Sequence, residues 1–188
     1  MFKAIEWIGF ALLVIVQWLV PGQMIWKKEK ILAEGITYKF QSAPVDPNDP
    51  FRGKYIVLNF KENSLTVKKE TSFDYGEKVY VTFSVNKDGF AFINSVSKAN
   101  PAIKDFLETT INYVSDEKDS TTIFINYPFE KFYMDEYKAP RAEAIYRERN
   151  IDTSQKAYAL VNLLNGDAVI KDVFINDTSI HQIIRNAN

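Results

Sequence analysis

The sequence predicts a mainly β fold: an N-terminal transmembrane helix, then a β-barrel- or sandwich-like domain with short helices, built by internal duplication. Three observations carry that reading. The first 26 residues are almost wholly apolar, whereas the rest of the 188-residue chain mixes polar and apolar side chains. Two apolar runs fold back on Gly-containing turns, the pattern of a β-hairpin. Finally, Pro50-Phe51-Arg52-Gly53-Lys54-Tyr55 is echoed 78 residues later by Pro128-Phe129-Glu130-Lys131-Phe132-Tyr133. At the same offset Lys78-Val79-Tyr80 is echoed by Lys156-Ala157-Tyr158.

The anchor is expected over residues 1–26. From Ile5 to Val20 only Glu6 and Gln17 are clearly polar, and about 20 such residues cross roughly 30 Å of hydrocarbon. Trp7 and Trp26 suit the two interfaces, with Lys3 outside one and Lys27-Lys28 outside the other. Pro21-Gly22 is expected to kink or end the helix. An uncleaved signal anchor is favoured over two rivals. A cleaved signal peptide lacks a small-x-small site at Val20-Pro21-Gly22-Gln23-Met24. A buried core helix would show a recurring polar face, and none recurs. The lysines after the segment outnumber those before it, which by charge alone leaves the domain in the cytoplasm.

Residues 27–188 form the β-rich domain, with pseudo-repeats about 36–98 and 121–176. Lys27 to Gly35 reads as a short helical exit that Gly35 ends. Ile36 to Phe40 alternates as a strand. Three prolines between Pro44 and Pro50 exclude helix there. Tyr55 to Phe60 and Ser64 to Lys68 are strands. Val79 to Val85 and Phe90 to Val96 flank a turn at Asn86-Lys87-Asp88-Gly89. Asn100-Pro101 is placed to start a helix running toward Leu107, and Ser115 to Ser120 reads as a polar loop. Thr121 to Asn126 is the counterpart of Ile36 to Phe40. Ala139 to Arg149 is the best helix of the domain, with a Glu143–Arg147 pair at i,i+4. Tyr158 to Leu164 and Ala168 to Ile175 flank Asn165-Gly166-Asp167, and Arg185 to Asn188 reads as a frayed end.

Composition narrows the function. A formal net charge of -1 from 23 basic and 24 acidic residues supplies no field for nucleic acid. The absence of cysteine removes thiol catalysis, disulfides and Cys-ligated metals. His181 stands alone, which makes no zinc site, and Ser115 to Ser120 lacks the ligand spacing of a calcium loop. No cofactor or metal is expected.

At Gly53-Lys54-Tyr55-Ile56-Val57-Leu58-Asn59-Phe60 the chain resembles the GDYXXLXY family of membrane-anchored bacterial proteins. Gly53, Tyr55 and Leu58 match its Gly-Asp-Tyr-x-x-Leu-x-Tyr motif, while Lys54 replaces the Asp and Phe60 the last Tyr. Val20-Pro21, Met24-Ile25, Glu29, Leu32 and Gly35 resemble its membrane-proximal stretch. Tyr133-Met134-Asp135-Glu136 with Ala139, Glu143 and Tyr146 resembles its second block. The resemblance implies a single anchor in the cell membrane, an extracytoplasmic (periplasmic) domain, and multi-span membrane proteins as neighbours. It implies no activity.

Candidate site residues are Asp46, Asp49 and Arg52 around the Pro-rich loop, with Tyr55, Glu136, Tyr137 and Glu143. Carboxylates of the two halves meeting at a pseudo-dyad would suit acid/base hydrolysis. Turn chemistry accounts for the same residues more simply, because Asp before Pro bonds its own backbone. Of the aromatic series Phe51, Tyr55, Phe60, Tyr127, Phe129, Phe132, Tyr133 and Tyr137, Phe51 and Phe129 read as core and Tyr137 as a surface contact. The expected role is a non-enzymatic accessory or binding partner of an integral membrane protein, contacted through the Pro-rich loop and the Tyr133–Tyr146 segment. The expected partners are therefore the lipid bilayer and a multi-span membrane protein. The alternatives are a carboxylate-dependent hydrolase and a small-ligand or glycan-binding domain lined by Tyr.

Overall fold

A single helix, α1 (Phe2–Glu34), leads into the β domain. The computed structural model describes residues 2–43, 55–68, 72–135, 137–151 and 156–186. At 33 residues, α1 is about 50 Å long. It continues through Pro21, so the helix does not end at Pro21-Gly22. Proline removes one backbone donor, and neighbouring turns of a long apolar helix keep theirs. The expected exit helix over Lys27–Gly35 is therefore the last part of α1. An 18-residue apolar stretch of α1 has no buried residue, and the helix is long and apolar enough to cross a membrane. That exposure also excludes the buried-core-helix reading. Only the last turns reach the domain, through buried Ile31.

Gly35 ends α1 because nothing larger fits. A Cβ there would lie 2.4 Å from the Ile31 carbonyl oxygen and 3.1 Å from that of Leu163. The Gly35 N–H donates to Ile31 O at 2.9 Å, closing the final turn. The chain then enters β1 (Ile36–Ala43), which pairs antiparallel with β10 (Ala157–Leu164). β10 pairs in turn with β11 (Asp167–Ile175), and β11 with β12 (Thr178–Ser179). The short β3 (Asn59–Phe60) completes the order β12-β11-β10-β1-β3.

A second five-stranded sheet has the order β4-β8-β7-β5-β6. Its strands are β4 (Ser64–Lys68), β5 (Lys78–Val85), β6 (Ala91–Ser97), β7 (Phe106–Asp116) and β8 (Ser120–Ile125). A two-stranded ribbon joins β2 (Tyr55–Val57) to β9 (Lys131–Tyr133). The result is a mainly β, nearly closed barrel-like sheet, sealed on one side by a bridge between Leu107 and Gly166. Helices α2 (Ala139–Ile151) and α3 (Ile180–Asn186) pack against each other beside it.

Both predicted hairpins are present as β5–β6 and β10–β11. Asn165 (φ 50°) and Gly166 (φ 90°) form the two-residue turn of the second, with both φ positive as a type I′ turn requires. The predicted helix from Asn100 is absent. Residues 102–105 are bends, and Phe106-Leu107 begin β7, pairing with Thr82 and Val81 of β5. Tertiary pairing overrides the capping signal because Leu107 is fully buried there. The predicted loop over Ser115 to Ser120 also shrinks, since β7 runs to Asp116 and β8 starts at Ser120. Arg185 and Asn186, expected as part of a frayed end, instead complete α3; the last two residues of that expectation lie outside the described residues.

The internal duplication is not shown. β1 lies between β10 and β3, while its expected counterpart β8 lies between β7 and β4. β7 separates β8 from the β5–β6 hairpin, whereas β1 pairs directly with the β10–β11 hairpin.

An aromatic cluster fills the core. Phe40 meets Phe60, Phe83, Tyr127 and Phe129 with ring centroids 5.1 to 5.7 Å apart, all edge-on. Each fully buried ring contributes about 2 to 3 kcal/mol by desolvation, with further gain from edge-to-face geometry.

Candidate functional site

Two features of the surface stand out, and they adjoin. The first is the joint between α1 and the barrel. The Asn162 side chain, 2% exposed within the apolar run of β10, reaches the C-terminus of α1. Its Nδ2 donates to the carbonyls of Ile31 (3.3 Å) and Leu32 (3.0 Å), and its Oδ1 accepts from Thr37 Oγ1 at 2.8 Å. The last carbonyls of a helix lack partners inside it, so this amide gives Leu32 O its donor and adds a second to Ile31 O, which already accepts from the Gly35 N–H. Lys27 Nζ pairs with Asp167 at 2.7 Å, and Lys28 Nζ donates to Ala168 O at 3.4 Å. The helix is thereby fixed to the sheet with no intervening linker. A hollow of about 300 Å³ opens at this joint, lined by Lys27, Lys28, Glu108, Pro128 and the Asn165–Ala168 turn.

The second feature is the β2–β9 ribbon. Its register places Tyr55 opposite Tyr133, Ile56 opposite Phe132 and Val57 opposite Lys131. Alternation sends Ile56 and Phe132 into the core and leaves Tyr55 half-buried and Tyr133 67% exposed. The rings meet at 5.4 Å, and Lys131 Nζ lies 4.9 Å from the Tyr55 ring centroid, an aromatic pair with a cation over one face. A hollow of about 280 Å³ beside it is lined by Tyr127, Pro128, Glu130, Lys131 and Tyr133. Pro128 belongs to both hollows.

The motif strand explains itself by packing. Leu58 and Phe60 are buried, and the Leu58 N–H donates to Glu130 O at 2.8 Å. Phe60 replaces a motif tyrosine where its whole ring lies among Phe40, Tyr127 and Phe129, so the hydroxyl is dispensable.

Among the predicted site residues, Asp46, Asp49, Arg52 and Glu136 lie outside the described residues, as does Phe51. Tyr55 joins the ribbon. Tyr137 is 94% exposed, held by a turn in which its N–H donates to the Asp135 carboxylate at 2.9 Å. Glu143 is half-buried on α2; the side chain of Arg147, its predicted pairing partner, lies outside the described residues. Phe60, Tyr127, Phe129 and Phe132 are core. Tyr146 is also core at 1% exposure, its hydroxyl hydrogen-bonded to that of Ser42, so the expected Tyr133–Tyr146 surface ends before it. Burial pushes the Tyr146 phenol up to about 12, against the opposing pull of the Ser42 bond. Burial, then the Asp105 carboxylate 2.7 Å away, does the same to Tyr38. Among the described residues no group of three His, Asp or Glu side chains is placed to hold a metal.

Asn162 and the joint escaped the sequence reading. The signal was present: a lone amide in the otherwise apolar Ala157–Leu164 needs a buried partner.

Fold and site together define a class: a barrel-like β domain carried rigidly on a long apolar helix. The sequence model of the GDYXXLXY protein matches residues 17–173, and the chain belongs to that family. No curated protein and no solved structure matches it.

Proposed function

We propose that the protein is a single-pass membrane protein whose extracytoplasmic domain binds a neighbouring multi-span membrane protein through the β2–β9 ribbon. The observation that carries this reading is the exposed Tyr133, stacked edge-on against Tyr55 and followed by Tyr137. Tyrosines offer large rigid contact area at low entropic cost, and solvent-exposed aromatics of this kind mark contact surfaces. Two supports argue for a partner in the same bilayer. The apolar helix has the length of a bilayer span, so residues 1–26 serve as an anchor and 27–188 as the domain. The Asn162 joint then holds the ribbon at a fixed height and orientation, which reduces the ordering cost of lateral association. The outward orientation is what the family resemblance implies, and it is weighed here above the lysine count.

Co-purification of the full chain from crosslinked membranes tests the proposal. Wild type is expected to retain one multi-span protein that Y133A/Y137A loses at unchanged expression and membrane content. Equal recovery with both chains, or the protein alone in both, overturns it.

A further inference from the structure

The hollow at the helix–domain joint has the position and the charge of a lipid headgroup site. Trp7 to Trp26 is 20 residues, about 30 Å of helix, so the hydrocarbon boundary falls at Trp26 and the phosphate layer at Lys27-Lys28. The hollow of about 300 Å³ opens at that level. Its lining carries both signs: the ammoniums of Lys27 and Lys28 against the carboxylates of Asp167 and Glu108.

These charges are only loosely committed to one another. The Lys27–Asp167 pair is 60% and 37% exposed, and such surface pairs hold only weakly. Among the described residues Lys28 reaches only a carbonyl, at a long 3.4 Å. Glu108 turns one oxygen to Lys78 at 2.8 Å, leaving its second to accept. The floor is rigid, because Gly166 is seated so closely that a Cβ would lie 2.9 Å from Phe106, and its N–H and C=O are tied to Phe106 O and Glu108 N.

We infer that this hollow binds a phospholipid headgroup bearing both a phosphate and a primary ammonium, a phosphoethanolamine headgroup. Lys27 and Lys28 take the phosphate, and Asp167 and Glu108 take the ammonium. A primary ammonium donates three hydrogen bonds to such carboxylates. A choline headgroup donates none, and a glycerol headgroup brings no cation to offset the two acids. The inference rests on the reading that α1 crosses the bilayer.

Native mass spectrometry of the full chain, released from micelles holding equal phosphatidylethanolamine, phosphatidylcholine and phosphatidylglycerol, tests it. The ethanolamine lipid is expected to be retained at least about tenfold over the other two, the worth of one charge-assisted hydrogen bond. D167N and E108Q each reduce that preference toward unity, and K28A lowers retention of all three lipids. Thermal unfolding of each variant checks that the fold is intact. Equal retention of the three lipids by wild type overturns the inference, as does an unchanged preference in folded D167N and E108Q. Displacement of the lipid by millimolar inorganic phosphate alone would reduce the site to a phosphate site and also overturns it. Alkaline extraction of membranes separates the two claims. Release of the chain contradicts the membrane span; a retained chain without lipid preference contradicts the headgroup site only.

Discussion

Tyr55 and Tyr133, the closing residues of two phrases 78 positions apart in the chain, are direct partners across the antiparallel β2–β9 ribbon, with ring centroids 5.4 Å apart. The echo in the sequence is thus also a physical contact. Each tyrosine stands next to an inward residue of its strand, Ile56 after Tyr55 and Phe132 before Tyr133. That alternation is what brings two aromatic rings to the surface together.

The ribbon should be far more important to binding than to folding. Y133A is expected to cost the domain only about 1 kcal/mol in urea unfolding, the scale of an aromatic pair beyond its burial. Partner recovery should fall with little change in unfolding midpoint. A destabilisation above about 3 kcal/mol would make Tyr133 a structural residue instead.

Asn162 should couple the anchor to the domain. N162A leaves the Leu32 carbonyl without its donor and Ile31 O with only the Gly35 N–H, at an expected cost of about 1 to 3 kcal/mol. Spin labels on α1 near Lys30 and on β11 should show one narrow distance distribution in wild type and a broad one in N162A. Equal widths would contradict a rigid joint.

Gly35 permits no side chain, while Gly22 does. G35A forces a methyl to within 2.4 Å of Ile31 O and should destabilise the chain by about 3 kcal/mol. G22A meets nothing within 4 Å and should leave the unfolding midpoint unchanged. Similar behaviour of the two variants would contradict the close approach of helix and sheet.

Tyr146 makes stability fall in alkali. Its folded-state pKa is raised, so its contribution is complete below about pH 10 and is lost as pH rises toward about 12. The full loss is about 3 kcal/mol. Y146F should flatten this limb, while costing about 1 kcal/mol at neutral pH by removing the bond to Ser42. Urea titrations between pH 7 and pH 11.5 read both effects, and parallel curves for wild type and Y146F would contradict the assignment.

Local patterns made much of this legible. The hairpins were readable because Asn165-Gly166 and Asn86 to Gly89 impose turns whatever lies around them. The long apolar helix was readable because an apolar run of the length a bilayer span demands stands out from the mixed sequence around it. β7 was hidden because its inward positions include Thr109, buried with its hydroxyl donating to Asn126 O. A buried threonine interrupts the alternation of Leu107 and Ile111, and Asn100-Pro101 offered a competing helix start. The site was half legible. Tyr55 and Tyr137 follow from the aromatic pattern, but the joint joins Asn162 to a helix end 130 residues away, and no local rule reports such a distance.

The most direct test of the ribbon as a contact surface is photo-crosslinking in native membranes, with a photoreactive residue at position 133 or 137 of the full chain. Position 75, where Tyr75 is 81% exposed ahead of β5, serves as the control. The expected result is one adduct with a multi-span membrane protein from 133 and 137 and none from 75. The same adducts from all three positions, or adducts only to lipid, would contradict the account.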